Sequence, residues 1–300
     1  MNPMVEEPTI SVLMTVYNRE KYLAEAIESV LASDFTDFEY IIVDDCSTDR
    51  SVEIAKAYAA KDSRIRCYQN SENLGDYPNR NQAASYAKGR YLKYVDSDDT
   101  IATHCLSHMI KAMEAFPQAA LGLCQKRDDI YPQQLTPQET YKRSFLENDR
   151  AVLGNAPLSV IIRHSTFKAH GGFSGQNYSG DGELWLKMSA QDPILLLESG
   201  LVYWRKHGDQ EFNTGHQSGA QFTFGFLKDI AAINAPNCPL NANEVPIALR
   251  RCQWYHSRFI IRLLKSGHLA RAWEIKTNSG ITFINLLRAF APIPEITPKQ

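Results

Sequence analysis

Across the first 125 residues, apolar positions follow two rhythms that take turns. "TISVLMTVY" is a near-continuous apolar run, and "REKYLAEAIESVLAS" follows it with Leu23, Ala26, Ile27, Val30 and Leu31 at helical spacing. The pair then repeats. "FEYIIVDD" predicts a strand and "DRSVEIAKAYAAK" a helix, with Ser47, Thr48 or Asp49 as its cap. "RIRCYQN" and "RYLKYVD" predict strands, each followed by a helix, in "YPNRNQAASYAKG" and "ATHCLSHMIKAMEAF" respectively. Strand and helix alternating at this pitch predict right-handed βαβ units and an α/β fold with a mostly parallel sheet. In such sheets ligands bind at the carboxyl ends of the strands.

Beyond residue 125 the rhythm breaks. Residues 128–150 are polar and proline-bearing and read as loop. "PLSVIIRHS" predicts a strand, "GDGELWLKMSAQ" a helix, and "PILLLES" and "LVYWRKH" two more strands. The glycine-rich "NTGHQSGAQ" and the linker chemistry of "NAPNCPLNANEVP" predict a mobile loop or linker over 213–240. After it, "VPIALRRCQWYHSRFIIRLLKSG" and "HLARAWEIKTNSG" read as two helices joined through Ser-Gly.

Composition narrows the class. A chain of 300 residues with 44% apolar side chains and a net charge of −2 is neither disordered nor a globally basic nucleic-acid binder. Charge is uneven, however: from Leu249 to Gln300 there are nine Lys/Arg and two acids. That basic helical region has two readings, contact with a membrane surface or lipid diphosphate, or a packed hairpin with its cations in solvent. No run approaches the roughly eighteen apolar residues of a membrane span. The opening "MNPMVEEPTI" lacks signal-peptide character, and the six cysteines form no C-x-x-C pair. These features predict reduced thiols and a cytoplasmic protein, with a peripheral place on the inner face of the membrane as the extension.

The candidate chemistry gathers at two strand ends. Asp44 and Asp45 close the second predicted strand, and Asp96, Asp98 and Asp99 close the fourth. Carboxylates this close repel one another and are costly to desolvate unless a cation or hydrogen-bond donors compensate. In a parallel sheet both ends open on one edge. Clustered hard oxygens suit Mg2+ or Mn2+, ions that usually also hold substrate phosphates. The competing reading is a pair of solvated turns whose aspartates cap helices. No G-x-G-x-x-G opens the first helix and no G-x-x-x-x-G-K-[ST] occurs, which argues against a dinucleotide-binding dehydrogenase and a P-loop nucleotidase. His104 and His108, four apart on one helix without an HExxH pattern, read as structural, and Trp204 and Trp254 as helix packing.

Taken in order, five segments resemble the family 2 glycosyltransferases, which have a GT-A nucleotide-sugar-binding fold. "ISVLMTVYNREKYLAEAIESVLAS" is similar to the family's opening strand and helix, and "FEYIIVDDCSTDRS" to its V-D-D-G-S-x-D segment, with Cys46 where glycine is usual. "NLGDYPNRNQAASYAKGRYLKYVDSDD" resembles N-x-G-x-x-x-x-R-N … A-x-G … D-x-D-D; "SGDGELWLKM" resembles a later acidic helix start, and "YWRKHGDQ" an Arg-x-His segment.

The resemblance implies a Rossmann-like mixed, mostly parallel sheet flanked by helices in a catalytic domain over 1–212, with a basic C-terminal helical appendage over 241–300. It implies Thr15, Tyr17 and Asp45 at the nucleotide base, Tyr17 by stacking and Asp45 by accepting from a ring N–H. Uracil offers that donor, so a UDP-sugar is favoured. Arg80 and Asn81 are implied near the nucleotide, Arg80 alternatively in a salt bridge. Asp98 is implied on the ribose or metal, Asp99 on Mn2+ or Mg2+, and Asp96 behind them; His207, after a predicted strand, reads either as a ligand to the cation or diphosphate or as an ordinary surface or core histidine. Asp181 is implied as the base that deprotonates an acceptor hydroxyl in an inverting displacement, with Glu183 as rival. Gly180 stands where the family often carries glutamate. The implied partners are a nucleotide-sugar donor and a sugar or lipid-linked acceptor, with no nucleic acid, in cell-surface polysaccharide or glycolipid synthesis. Two other classes stay open: a nucleotidyl- or phosphotransferase, and a non-catalytic nucleotide-sugar-binding relative.

Overall fold

β1 (Ile10–Val16) is buried along almost its whole length, which requires cover on both faces of the sheet it joins. The structure, a computed structural model, describes residues 7–125, 130–147, 152–175, 179–208 and 220–294. After β1 come α1 (Leu23–Leu31), β2 (Phe38–Asp44), α2 (Ser51–Ala59), β3 (Ile65–Gln69), α3 (Asp76–Ser85), β4 (Tyr91–Tyr94), β5 (Thr100–Ile101) and α4 (Cys105–Ala115). The chain continues through β6 (Leu121–Cys124), β7 (Gln133–Leu135), α5 (Pro137–Phe145), β8 (Val160–Arg163), α6 (His164–Ala169), α7 (Gly180–Ser189), β9 (Ile194–Leu197) and β10 (Val202–Tyr203). Four helices close it: α8 (Ala220–Asn234), α9 (Val245–Lys265), α10 (Leu269–Ser279) and α11 (Phe283–Arg288).

The eight-stranded sheet has the order β3-β2-β1-β4-β8-β6-β9-β7. β3, β2, β1 and β4 are mutually parallel, so the predicted βαβ core is present. β8 runs antiparallel to both β4 and β6, β9 is parallel to β6, and the short β7 closes the edge antiparallel to β9. Helix α1 shows why the pattern was readable: Leu23, Ala26, Ile27 and Val30 are all buried against the sheet, each large side chain worth about 1.5–3 kcal/mol. The A-x-G step before β4 has a steric cause. A Cβ on Gly89 would lie 2.4 Å from the Ser11 backbone nitrogen, so only glycine lets that turn pass along β1.

The chain divides into two compact units. One comprises Met1–Leu135, Asn155–Gly175 and Asp192–Arg205 and contains every strand found among the described residues. The other comprises Thr136–Gly154, Gln176–Gln191 and Lys206–Gln300 and is helical. Within it Tyr141 Oη donates to the Leu186 carbonyl at 3.1 Å, Arg251 Nε donates to the Phe145 carbonyl at 3.1 Å, and Phe222 and Phe226 stack on Phe259 and His256.

Two expectations are corrected. Within 128–150, read as loop, β7 and α5 form. α5 begins with a capping box: Thr136 Oγ1 accepts from the Glu139 N–H while Glu139 Oε2 accepts from the Thr136 N–H, and Pro137 opens the helix. Within 213–240, read as a mobile loop or linker, Ala220–Asn234 is helical. Thr223, Phe226, Asp229 and Ile233 are buried at helical spacing. Most of "NTGHQSGAQ" lies outside the described residues. β6 and α6 are additions that the sequence pattern did not single out.

Candidate active site

β2, β1 and β4 are neighbours and parallel, so their carboxyl ends share one edge of the sheet and deliver the candidate residues there. Thr15 is the penultimate residue of β1. Tyr17, just past the strand, is 46% exposed, so it is not a core packing residue.

Asp44 and Asp45 end β2 and are both buried. Asp44 Oδ1 accepts from the Ser47 N–H at 2.9 Å, while its Oδ2 is buried with no hydrogen-bond partner among the described residues. Asp45 Oδ1 accepts from Asn70 Nδ2 at 2.8 Å and from the Leu74 N–H at 2.9 Å, and Oδ2 accepts from the Gly75 N–H at 2.9 Å. Three donors offset the cost of burying this carboxylate, and it ties down the loop that leads into α3. Oδ2, with one bond, retains acceptor capacity for a further N–H. Directly after them, in the motif's usual glycine place, Cys46 has φ 66°, the left-handed region that glycine occupies without strain.

Helix α3 then supplies Arg80, buried, whose Nε donates to Asp76 Oδ1 at 2.7 Å and whose Nη2 donates to Asp96 Oδ1 at 2.7 Å. Arg80 makes these ion pairs at the edge of the core and not on a helix surface. Burial pushes the Asp76 carboxyl above its usual range, and Arg80 opposes that rise. Asn81, expected near the nucleotide, uses its amide elsewhere: Nδ2 donates to the Phe173 carbonyl at 2.8 Å and Oδ1 accepts from the Phe173 N–H at 3.0 Å. It positions the turn at Gly172.

The turn after β4 brings Asp96, Asp98 and Asp99 together through an Asp99 N–H to Asp96 carbonyl bond of 3.0 Å. Asp98 Oδ2 accepts from Arg19 Nε at 3.1 Å. Asp99 is 2% exposed, and its Oδ1 accepts from the Arg205 N–H at 2.7 Å. Burial pushes Asp99 up to about 7, with Asp96 and Asp98 adding repulsion and the Arg205 bond opposing. Arg205 also donates from Nε to the Asp98 carbonyl at 2.9 Å and pairs through Nη2 with Glu25 at 2.6 Å. Arg19 and Arg205 are thus structural partners of the acidic turn that the sequence reading did not assign. The signals were present, "YNRE" directly after β1 and "WRKH" directly after β10.

A divalent ion fits this donor set. Two adjacent carboxylates, one held protonation-prone by burial and like charge, are what a cation relieves, and Mg2+-like ions commonly take one or two carboxylates plus substrate phosphates. Among the described residues no group of three His, Cys, Asp or Glu side chains is arranged to hold an ion by itself.

The remaining candidates belong to the helical unit. Asp181 lies in the first turn of α7, where its Oδ1 accepts from the Gly182 N–H at 2.6 Å. Glu183, its rival, is ion-paired to Lys187 at 2.6 Å, one turn along the same helix. His207 follows β10. A cavity of about 350 Å3 in this unit is lined by Phe145, Leu186, Phe222, Phe226, Lys228 and Asp229, among others. Lys228 reaches the helix of Asp181: a Cβ on Gly182 would lie 2.9 Å from Lys228 Cε. His108 Nε2 contacts the Glu198 carboxyl, and Trp204 is 49% exposed and not a buried packing residue.

The mixed, mostly parallel α/β sheet flanked by helices, with acidic residues at its strand ends, is a fold of the GT-A type. Residues 11–179 match the family model described as glycosyl transferase family 2, and the chain belongs to that family. It is 34% identical over 222 residues to the putative colanic acid biosynthesis glycosyl transferase WcaA of Escherichia coli (strain K12), covering 70% of this chain and 77% of that one. It is 40% identical over 112 residues to the uncharacterized glycosyltransferase MJ1057 of Methanocaldococcus jannaschii, covering 37% of this chain and 39% of that relative's length. In fold it resembles S. aureus TarS 1–349 in complex with UDP-GlcNAc, with a TM-score of 0.66 at 24% identity over 84% of this chain and 73% of the other. It also resembles the mannosyltransferase PcManGT from Pyrobaculum calidifontis in complex with GDP-Man and Mn2+, with a TM-score of 0.63 at 15% identity over 95% and 84%.

Proposed function

We propose that the protein is a metal-dependent, inverting glycosyltransferase that moves a sugar from a nucleotide diphosphate, a UDP-sugar in first place, to a hydroxyl acceptor in cell-surface polysaccharide or glycolipid assembly. The observation that carries this reading is the shared sheet edge at which Asp45 and the Asp98–Asp99 pair emerge, within the matched family segment. WcaA's name supports the setting, and the ligands of TarS and PcManGT support a sugar nucleotide and a dication.

In this reading Tyr17, with its ring exposed, stacks on the base, Thr15 lines the same pocket, and Asp45 Oδ2 accepts a ring N–H. Asp98 and Asp99, with His207 as a third candidate, hold Mn2+ or Mg2+. The ion's contribution is to stabilise negative charge on the departing diphosphate. Asp96, fixed by Arg80, keeps the acidic turn in place. Asp181 takes the acceptor proton; Glu183 is the poorer base because Lys187 already neutralises it. The cavity beside α7 is the acceptor's place in this scheme.

The test is ligand-dependent stability followed by turnover. UDP with Mn2+ should raise the melting temperature, by an amount equivalent to about 2.7 kcal/mol at a hundredfold excess over Kd, and EDTA should cancel most of it. Slow release of UDP from a UDP-sugar should follow the same metal dependence. Release of sugar 1-phosphate in its place, by transfer of the UMP half, would identify a nucleotidyltransferase. No stabilisation by any nucleoside diphosphate would overturn the proposal.

A further inference from the structure

The C-terminal helices carry an apolar surface that sugar transfer leaves unused. α10 buries Ala272, Ile275 and Ser279 on one face and presents Leu269 and Trp273, 63% and 61% exposed, on the other. α11 has no buried residue and presents Phe283, Ile284 and Leu287, with Phe290 just beyond it; their exposures are 64%, 58%, 70% and 64%. The two faces form one patch, because Lys276 Nζ lies 5.0 Å from the Trp273 ring centroid and 4.6 Å from that of Phe283.

The patch is anchored. Thr282 and Asn285 form a capping box at the start of α11, Asn285 Nδ2 donates to Gln253 Oε1 at 3.2 Å, and Trp254 Nε1 donates to the Ala291 carbonyl at 2.9 Å. Exposed cations accompany it: Arg258, whose guanidinium lies 5.3 Å from the Trp254 ring, then Arg262 and Lys265 on the same face of α9, and Arg288 on α11. A contiguous patch of this kind, unlike scattered surface leucines, marks an interaction site.

We propose that this face seats the protein on the surface of an anionic phospholipid bilayer, with Trp273, Phe283, Ile284, Leu287 and Phe290 entering the headgroup–acyl boundary. Arg258, Arg262, Lys265 and Arg288 meet lipid phosphates. Charge decides against a second copy of the chain as occupant. A twofold contact would place these cations against their own copies, whereas an anionic leaflet complements them. The inference stands apart from the transfer reaction, since none of these residues belongs to the acidic site.

Sedimentation of the full chain with phosphatidylcholine vesicles, with and without phosphatidylglycerol, tests it. The protein should pellet with the anionic vesicles only, less so in high salt, with a blue shift of tryptophan emission that Trp273→Phe removes. Trp273→Ser/Phe283→Ser/Leu287→Ser should weaken partitioning at least about a thousandfold, at about tenfold or more for each large apolar side chain. Arg262→Gln/Lys265→Gln should weaken it about 25-fold, at about fivefold for each charge. All these substitutions are at exposed positions, so unchanged melting curves confirm that folding is intact. Failure to bind anionic vesicles, or binding that the triple variant leaves intact, overturns the proposal. So does a dimer in light scattering that the triple variant dissolves while vesicles bind neither form.

Discussion

Removing the Arg80 guanidinium, as in Arg80→Met, tests the electrostatic frame of the site. The arginine side chain is 10% exposed, and its two partners, Asp76 and Asp96, are 23% and 21% exposed. Breaking a fully buried ion pair by deleting one member costs about 3–5 kcal/mol, because the abandoned charge stays buried. Here about a fifth of each carboxylate meets water, so the expected cost at pH 8 is about 2–4 kcal/mol after allowance for screening. The pH dependence has a definite sign. Asp76 is already held above its unfolded value by burial, so its contribution is present in acid and lost as pH rises through the folded value. Arg80 opposes that rise, and without it the folded value climbs further. The penalty of Arg80→Met therefore grows from pH 5 to pH 8. Urea unfolding read on the sheet unit's transition, with the m-value compared between variants, measures it. Arg80→Lys, which keeps the charge without the fork, should lie between the two. A loss below about 1 kcal/mol at pH 8, or the same loss at both pH values, would show that water and not Arg80 carries these carboxylates.

Asp181→Asn should lower sugar transfer by about 10²–10⁴-fold with an unchanged melting temperature, whereas Glu183→Gln should stay within a few fold; the reverse order in the initial rates would make Glu183 the base. Gly89→Ala forces a methyl against the Ser11 backbone at 2.4 Å and should cost about 1–3 kcal/mol or more in denaturant unfolding. Cys46→Gly should stabilise by about 0.5–1 kcal/mol, because relief of a left-handed L-residue, about 1–2 kcal/mol, exceeds the added chain entropy of glycine. Cys46→Ala, which keeps the Cβ, should leave the midpoint where it is. His164 is buried, with Nδ1 2.8 Å from the Gly89 carbonyl, and burial holds its pKa below the usual 6.5. Its stabilising share is therefore present above 6.5 and lost as pH falls below it, and His164→Asn should flatten that acid-side slope in melting temperature.

The parts of this molecule that could be read from the chain are those whose partners are close in sequence or whose surroundings are uniform. β1 and β2 are buried on both faces, so their apolar runs need no knowledge of what covers them. β6 is four residues, LGLC, and becomes a strand because β8 and β9 supply its ladders from 36 or more residues away; nothing in so short a run separates it from the end of a helix. α5 is a different kind of miss. Its T-P-x-E start is a readable cap, but the polar segment around it exposes only Tyr141 and Phe145 as a helical stripe. α8 contains Gly225, and its rings, Phe222 and Phe226, stack on partners from α9, a separate helix later in the chain.

The same division runs through the site. That Asp96, Asp98 and Asp99 crowd one turn is a local fact, visible in three letters out of four. Which cation answers each of them is not local: Arg19 comes to Asp98 from 79 residues away, Arg80 to Asp96 from 16, and the Arg205 N–H to Asp99 from 106. Those assignments also rank the three acids. Asp96 and Asp98 each have a guanidinium within 3.1 Å, whereas Asp99, the most buried, has a backbone N–H and two repelling neighbours. A carboxylate in that position gains more from a dication than either neighbour does, since theirs is already half answered. Asp99 is therefore the residue whose loss should cost most in Mn2+ affinity. Asp99→Asn, which keeps the acceptor for the Arg205 N–H but deletes the charge, should weaken Mn2+-dependent UDP binding further than Asp98→Asn does in matched titration calorimetry, and the opposite order would refute the ranking.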